Sequence, residues 1–94
     1  MEINRAHLVE ATAGREKGKL FYVLDTDGEY LLLADGKSRR VEERKRKKRK
    51  HARFVADTGD RVAAKIRESE KVTNSELRKA IASYGDADNS DQEG

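Results

Sequence analysis

Two apolar runs of five residues, Leu20–Leu24 and Tyr30–Ala34, are the longest in this 94-residue chain, and Asp27-Gly28 lies between them. Runs this short suit strands better than helices, and Leu20–Leu24 is rich in aromatic and β-branched residues. A glycine at the reversal accepts positive φ without a Cβ clash, so the segment reads as a β-hairpin. Upstream, Val9, Ala11 and Ala13 alternate with Leu8, Glu10 and Thr12 across 7–13, the period-two pattern of a half-buried strand. Downstream, Asp35-Gly36 supplies another turn, Arg39-Arg40-Val41 extends briefly, and Arg53-Phe54-Val55 reads as a last short strand. Neither apolar run approaches the roughly 18 residues of a membrane-spanning helix.

Beyond residue 57 the period changes. Val62, Ala63 and Ile66 form one apolar stripe, which predicts a short helix from about Asp60 to Glu68 with Thr58 or Asp60 as its cap. Thr73 with Glu76 three residues later makes a capping box, and Val72 and Leu77 occupy the hydrophobic-staple positions. Leu77, Ile81 and Tyr84 then line a face of a second helix, with Gly85 as the expected C-cap. Helices this short are marginal alone, so a helical hairpin over 58–84 docked on the strands is expected. The stretch 85–94 carries four acids and no basic residue, and is expected to be a disordered acidic tail.

The charge distribution is lopsided. Seven consecutive cations run from Arg44 to Lys50, and 36–53 carries a local excess of nine positive charges in a chain whose net charge is +3. Helix surfaces normally mix signs, and this run does not. Like charges at such density repel, so the block is expected to stay solvated and extended until a polyanion neutralises it and releases condensed counterions. Nucleic acid is the partner this favours. A nuclear-localisation signal is a competing reading of a basic run, whereas an anionic membrane is disfavoured because no Trp/Phe/Leu face accompanies the cations.

One further segment carries a signature. Leu8-Val9-Glu10-Ala11-Thr12-Ala13-Gly14-Arg15-Glu16-Lys17-Gly18-Lys19-Leu20 reads as strand, glycine-bounded basic loop and strand, ending in Gly-Lys before an apolar run. It resembles a KOW motif, the strand-loop-strand element of small SH3-like barrels in ribosomal proteins and transcription elongation factors. The second hairpin, Arg39-Arg40, the basic connection and the final strand are similar to the archaeal and eukaryotic large-subunit ribosomal proteins numbered fourteen, six and twenty-seven. Short bacterial KOW-domain RNA-binding proteins related to these carry a C-terminal helical segment comparable to Val72-Thr73-Asn74-Ser75-Glu76-Leu77-Arg78-Lys79-Ala80. The resemblance covers roughly Ile3 to Tyr84. It implies a mainly β fold with C-terminal helices: an SH3-like barrel over 1–57 with a basic loop at 37–53, then the helical hairpin.

The same resemblance implies a non-catalytic protein that binds RNA, ribosomal RNA or the ribosome foremost. Arg44, Lys45, Arg46, Lys47, Lys48, Arg49 and Lys50 would capture phosphate, assisted by Arg39, Arg40 and Arg53, while Arg15, Lys17 and Lys19 orient the complex from the neighbouring loop. Gly14 and Gly18 permit close backbone approach, so amides as well as cations could meet a phosphate. Selectivity for RNA needs shape, 2′-hydroxyl contacts or base stacking, and the candidate stackers are Phe21, Tyr22, Tyr30 and Phe54, most of them expected in the core. The alternative is a protein-interaction module that docks on a ribosomal or transcription partner, with the cations only assisting.

Other chemistries find little support. Gly36-Lys37-Ser38 looks like the end of a phosphate-binding P-loop, but the position that needs its first glycine is Leu31. Asp25 and Asp27 lack the remaining spacing of a calcium loop. Two histidines and no cysteine argue against a zinc site and exclude disulfides. No nucleophile-elbow motif supports a Ser-His-Asp set. The expectation is therefore a protein without catalysis, cofactor, metal or small-molecule substrate. Absence of cysteine fits a reducing compartment, and Met1-Glu2-Ile3-Asn4-Arg5 is not followed by a secretory stretch, so a monomeric, unexported cytoplasmic protein is expected.

Overall fold

The hairpin forms where its glycine permits a reversal. In the computed structural model, which describes residues 2–93 with 86–93 as backbone alone, Leu20–Asp27 and Tyr30–Ala34 pair antiparallel. Asp27 registers with Tyr30, so the connection is Gly28-Glu29, one residue later than the Asp27-Gly28 reading. Gly28 has φ +60°, the left-handed geometry that a two-residue turn with glycine leading requires.

Five antiparallel strands make one sheet: β1 (Leu8–Ala11), β2 (Leu20–Asp27), β3 (Tyr30–Ala34), β4 (Lys45–Lys48) and β5 (Ala52–Ala56), in the order β4-β3-β2-β1-β5. The register aligns Leu8, Tyr22 and Ala34 on one face. Val9, Phe21, Val23, Leu31 and Leu33 belong to the other. Two helices, α1 (Arg61–Arg67) and α2 (Asn74–Glu93), cover the first face, where Val62, Ala63, Ile66, Val72 and Leu77 join Leu8, Tyr22 and Ala34 in a single core. Helices and sheet therefore share one apolar interior.

The opposite face has no helix over it, yet Val9, Phe21, Val23, Leu31 and Leu33 are fully buried. A flat sheet could not do this. β4 and β5 are the two edges of the sheet, but only a 3-10 turn, Arg49–His51, separates them. Four strand spacings across a flat sheet span about 19 Å, whereas a connection with 3-10 rise covers about 8 Å. The sheet is consequently rolled, with this face on its inner side. A register irregularity at Leu24 of β2 and another between Leu8 and Val9 supply local bends. No ladder joins β4 to β5 among the described residues, so the sheet is rolled and open.

Local signals at the helix starts act as the side chains dictate. Asp60 caps α1 by accepting from the Ala63 N–H at 2.8 Å, and its other carboxylate oxygen accepts from the Tyr22 hydroxyl at 2.6 Å. Thr73 and Glu76 make the capping box reciprocally: the Thr73 N–H donates to Glu76 at 2.9 Å and the Glu76 N–H donates to the Thr73 hydroxyl at 3.1 Å. The helix they start does not stop at Gly85, the expected C-cap, but continues to Glu93 across the stretch expected to be a disordered tail; Gly94 lies outside the described residues. Once a turn is nucleated each further residue adds a backbone bond, and one interior glycine costs only about 1 kcal/mol. No helix is long and apolar enough to cross a membrane among the described residues.

Candidate nucleic-acid interface

The loop between β1 and β2, residues 12–19, is closed by the backbone. The Ala11 N–H donates to the Lys19 carbonyl at 3.0 Å and the Gly18 N–H to the Ala11 carbonyl at 2.8 Å. Gly14 and Gly18 sit at φ +81° and +92°, conformations that other residues adopt only under strain. Arg15 and Lys17 project outward and are exposed, whereas Glu16 between them is buried.

Glu16 is the anchor. It accepts from Arg39 Nε at 2.5 Å, joining this loop to the 35–40 loop. Two further bonds tie the loop to the basic segment: Lys47 Nζ donates to the Ala13 carbonyl at 3.2 Å, and the Thr12 N–H donates to the His51 carbonyl at 2.9 Å. Segments distant in sequence are thereby held in one region.

The basic block itself differs from expectation. Lys45–Lys48 is not a solvated, free chain but strand β4, paired with β3 through Leu33–Lys45, Leu32–Arg46, Leu31–Lys47 and Tyr30–Lys48. Pairing sends alternate side chains to opposite faces, which separates the charges, and the backbone bonds offset the repulsion that remains. Lys47 is buried at 9% exposure with its stem beside Leu31. Arg49 donates to the carbonyls of Gly28 at 2.7 Å and Ile3 at 2.6 Å, and so belongs to the scaffold as well. Arg44 Nε meets the Val41 carbonyl at 3.3 Å.

Ion pairs hold several of the remaining candidates. Arg39 pairs with Glu16, Arg40 with Glu42, Arg46 with Asp27 and Arg53 with Glu10. Arg15, Lys17, Lys19, Lys45, Lys48 and Lys50 keep side chains without a hydrogen-bond partner among the described residues, and all but the half-buried Lys45 are exposed. These are the cations at liberty to meet an anion. Lys37 was not singled out by sequence reasoning, though it too is exposed and lines a groove with Lys19, Leu20, Arg78 and Ile81. Glu16 was also missed, and its signal was visible: a single carboxylate inside a loop of cations.

The aromatics divide sharply. Phe21 and Tyr22 are fully buried and cannot stack on a base, and burial followed by the Asp60 hydrogen bond raises the Tyr22 hydroxyl well above its ordinary pKa. Phe54 packs against the rolled core and meets His7 edge-on at 5.0 Å. Tyr30 belongs to neither apolar cluster, and the Arg46 guanidinium lies over its ring, 3.9 Å from the centroid.

The far wall of the 35–43 loop is clamped to α2. Asn74 accepts from the Val41 N–H at 2.7 Å and donates to Glu42 at 2.6 Å, and that donation, chiefly, holds the Glu42 carboxyl below its usual range. Arg78 donates to the Gly36 carbonyl at 2.6 Å. No cluster of three or more potential metal ligands occurs among the described residues. No protein-family model matches the chain, and neither does any curated protein sequence.

Proposed function

We propose that this protein is a non-catalytic RNA-binding protein, that its rolled sheet is an SH3-like barrel of the KOW type, and that ribosomal RNA in the cytoplasm is its favoured target. One observation carries the reading: Lys47 and Glu16 fasten the 12–19 loop to the basic strand and to the 35–40 loop, so exposed Arg15 and Lys17 project from a loop bonded directly to the basic segment. Capture is electrostatic, through Lys45, Lys48 and Lys50. Arg15, Lys17 and Lys19 set orientation. The paired arginines, Arg39, Arg40, Arg46 and Arg53, exchange a carboxylate for a phosphate only at the cost of an existing bond and contribute less.

The salt dependence of RNA affinity tests this. If the free cations Arg15, Lys17, Lys19, Lys45, Lys48 and Lys50 each meet a phosphate, the log-log slope is about −4 to −5, at roughly 0.7 to 0.9 per contact. Replacing Lys45, Lys48 and Lys50 together by Ser flattens that slope by about 2 to 3 and weakens binding to most RNAs alike. A slope near zero, or a triple variant with unchanged affinity, removes the basic segment from the site.

A second reading is favoured by the groove of about 470 Å³ in which Leu20, Ile81 and Ala82 lie among Lys19, Lys37 and Arg78, with Asp35, whose carboxylate is engaged within its own loop, as the one acid. Apolar lining within a rim of three cations and one acid suits an acidic, partly apolar protein segment, the alternative of a protein-interaction module. Ile81→Lys separates the two, because it abolishes docking of such a segment while leaving RNA affinity intact.

A further inference from the structure

Arg46 differs from its neighbours in the basic run. Its guanidinium carbon lies over the Tyr30 ring, 3.9 Å from the centroid, with Asp27 at 3.5 Å beside it. The strand register explains the arrangement. Tyr30 is directly opposite Lys48, so Lys48 and Arg46 share the Tyr30 face of β4 and Arg46 is its diagonal neighbour. Although its guanidinium lies over the ring, 58% of the Arg46 side chain is exposed, so the group is also open to solvent.

Tyr30 has no duty in either apolar cluster, unlike Phe21, Tyr22, Phe54 and Tyr84. An aromatic kept out of the core, a planar cation held on it and a free ammonium next to both make a specific combination. Unpaired RNA bases stack on guanidinium planes as readily as on aromatic rings, and every base has a face to offer. A base inside a duplex is already stacked on both sides and cannot use the platform.

We infer that the Arg46–Tyr30 stack is a landing platform for an unpaired RNA base, with Lys48 holding the adjoining phosphate, and that the protein thereby selects single-stranded or looped RNA over duplex. This rests on the RNA reading above and adds to it the class of RNA recognised. Arg46 acts here through its plane rather than its charge. A lysine at the same position retains the charge and loses the platform, which makes the two contributions separable.

The test uses the full chain and three probes of equal phosphate number: a single-stranded oligouridylate, a sugar-phosphate oligomer lacking bases, and an RNA duplex. The wild-type protein binds the oligouridylate about tenfold more tightly than the baseless oligomer, the size expected for stacking of one or two bases. Arg46→Lys removes that preference while leaving the baseless oligomer and the duplex unchanged. Tyr30→Leu does the same through loss of the supporting ring, with circular dichroism confirming that both variants are folded. If Arg46→Lys keeps the preference, or weakens all three probes by one factor, the platform does not exist. If the wild type binds all three probes equally, the platform fails and the RNA reading stands. If it binds none of them in dilute salt, the RNA reading itself fails and takes the platform with it.

Discussion

Arg39 donates to Glu16 at 2.5 Å, and this one bond joins two loops separated in sequence by the whole β2–β3 hairpin. Glu16 is nearly enclosed while Arg39 is more than a third exposed, so the pair is partly screened and its worth is moderate. Glu16→Gln keeps the shape and removes the charge. The expected loss is about 1 kcal/mol in a urea titration. Because the change also frees Arg39, the log-log salt slope for RNA steepens by about 0.7 to 0.9. A slope that becomes shallower would mean that the carboxylate orders the interface more than it restrains it.

Gly36 stands where the 35–43 loop meets the first turn of α2. It has φ +79°, and a Cβ added there would lie 2.2 Å from the Asn74 carbonyl oxygen. Strain and backbone collision act together, so Gly36→Ala is expected to cost about 3 to 5 kcal/mol. Gly18 is the control, since it has φ +92° and a Cβ added there would have nothing within 4 Å. Gly18→Ala meets the dihedral penalty alone, about 1 to 2 kcal/mol. Equal costs in parallel denaturation curves would show that the contact with Asn74 yields.

Tyr22 and Asp60 connect the sheet to the start of α1. Asp60 serves the Tyr22 hydroxyl and the Ala63 N–H at once, so Asp60→Ala removes a cap and leaves a buried hydroxyl without its acceptor. About 2 to 3 kcal/mol is expected for that change, and about 1.5 to 3 for Tyr22→Phe, which leaves one carboxylate oxygen without its donor. The double variant should lose less than the sum, and strict additivity in the denaturation midpoints would show that the two side chains act independently.

Glu76 ties the two helices together and makes the fold sensitive to acid. The Lys65 ammonium first, and the Thr73 N–H after it, hold its carboxyl at about 2 against an ordinary 4.5. The folded chain therefore binds this proton less readily than the unfolded one, and stability rises with pH while the group titrates. Its contribution is fully present above pH 4.5 and disappears as the pH falls toward about 2. Thermal melts of the wild type should drop through that window, and Glu76→Gln should melt lower at neutral pH with a smaller acid-dependent fall. A variant with the same acid dependence as the wild type would assign the effect to other carboxylates.

Short-range chemistry was legible in the chain itself. The Leu20–Ala34 hairpin, the Asp60 cap and the Thr73–Glu76 capping box involve residues a few positions apart, where glycine dihedrals and side-chain reach decide the outcome. The slip of the turn by one residue and the run of α2 past Gly85 mark the limit of such reasoning, since end points depend on what the neighbouring turns contribute. The concentration of charge between Gly36 and Arg53 was equally plain.

What the residues by themselves determined is thus a set of local elements and a dense positive segment available to an anion. Tertiary structure decided which cations remain available. A lysine-rich stretch has little strand propensity of its own, and Lys45–Lys48 becomes β4 because β3 offers an edge of unpaired backbone groups. Pairing with β3 then sets Arg46 on Tyr30 and Arg49 beside the Gly28 carbonyl, while long-range packing brings the Ala13 and Ile3 carbonyls within reach of Lys47 and Arg49. Those partners are far apart along the chain, and only long-range packing could choose among them.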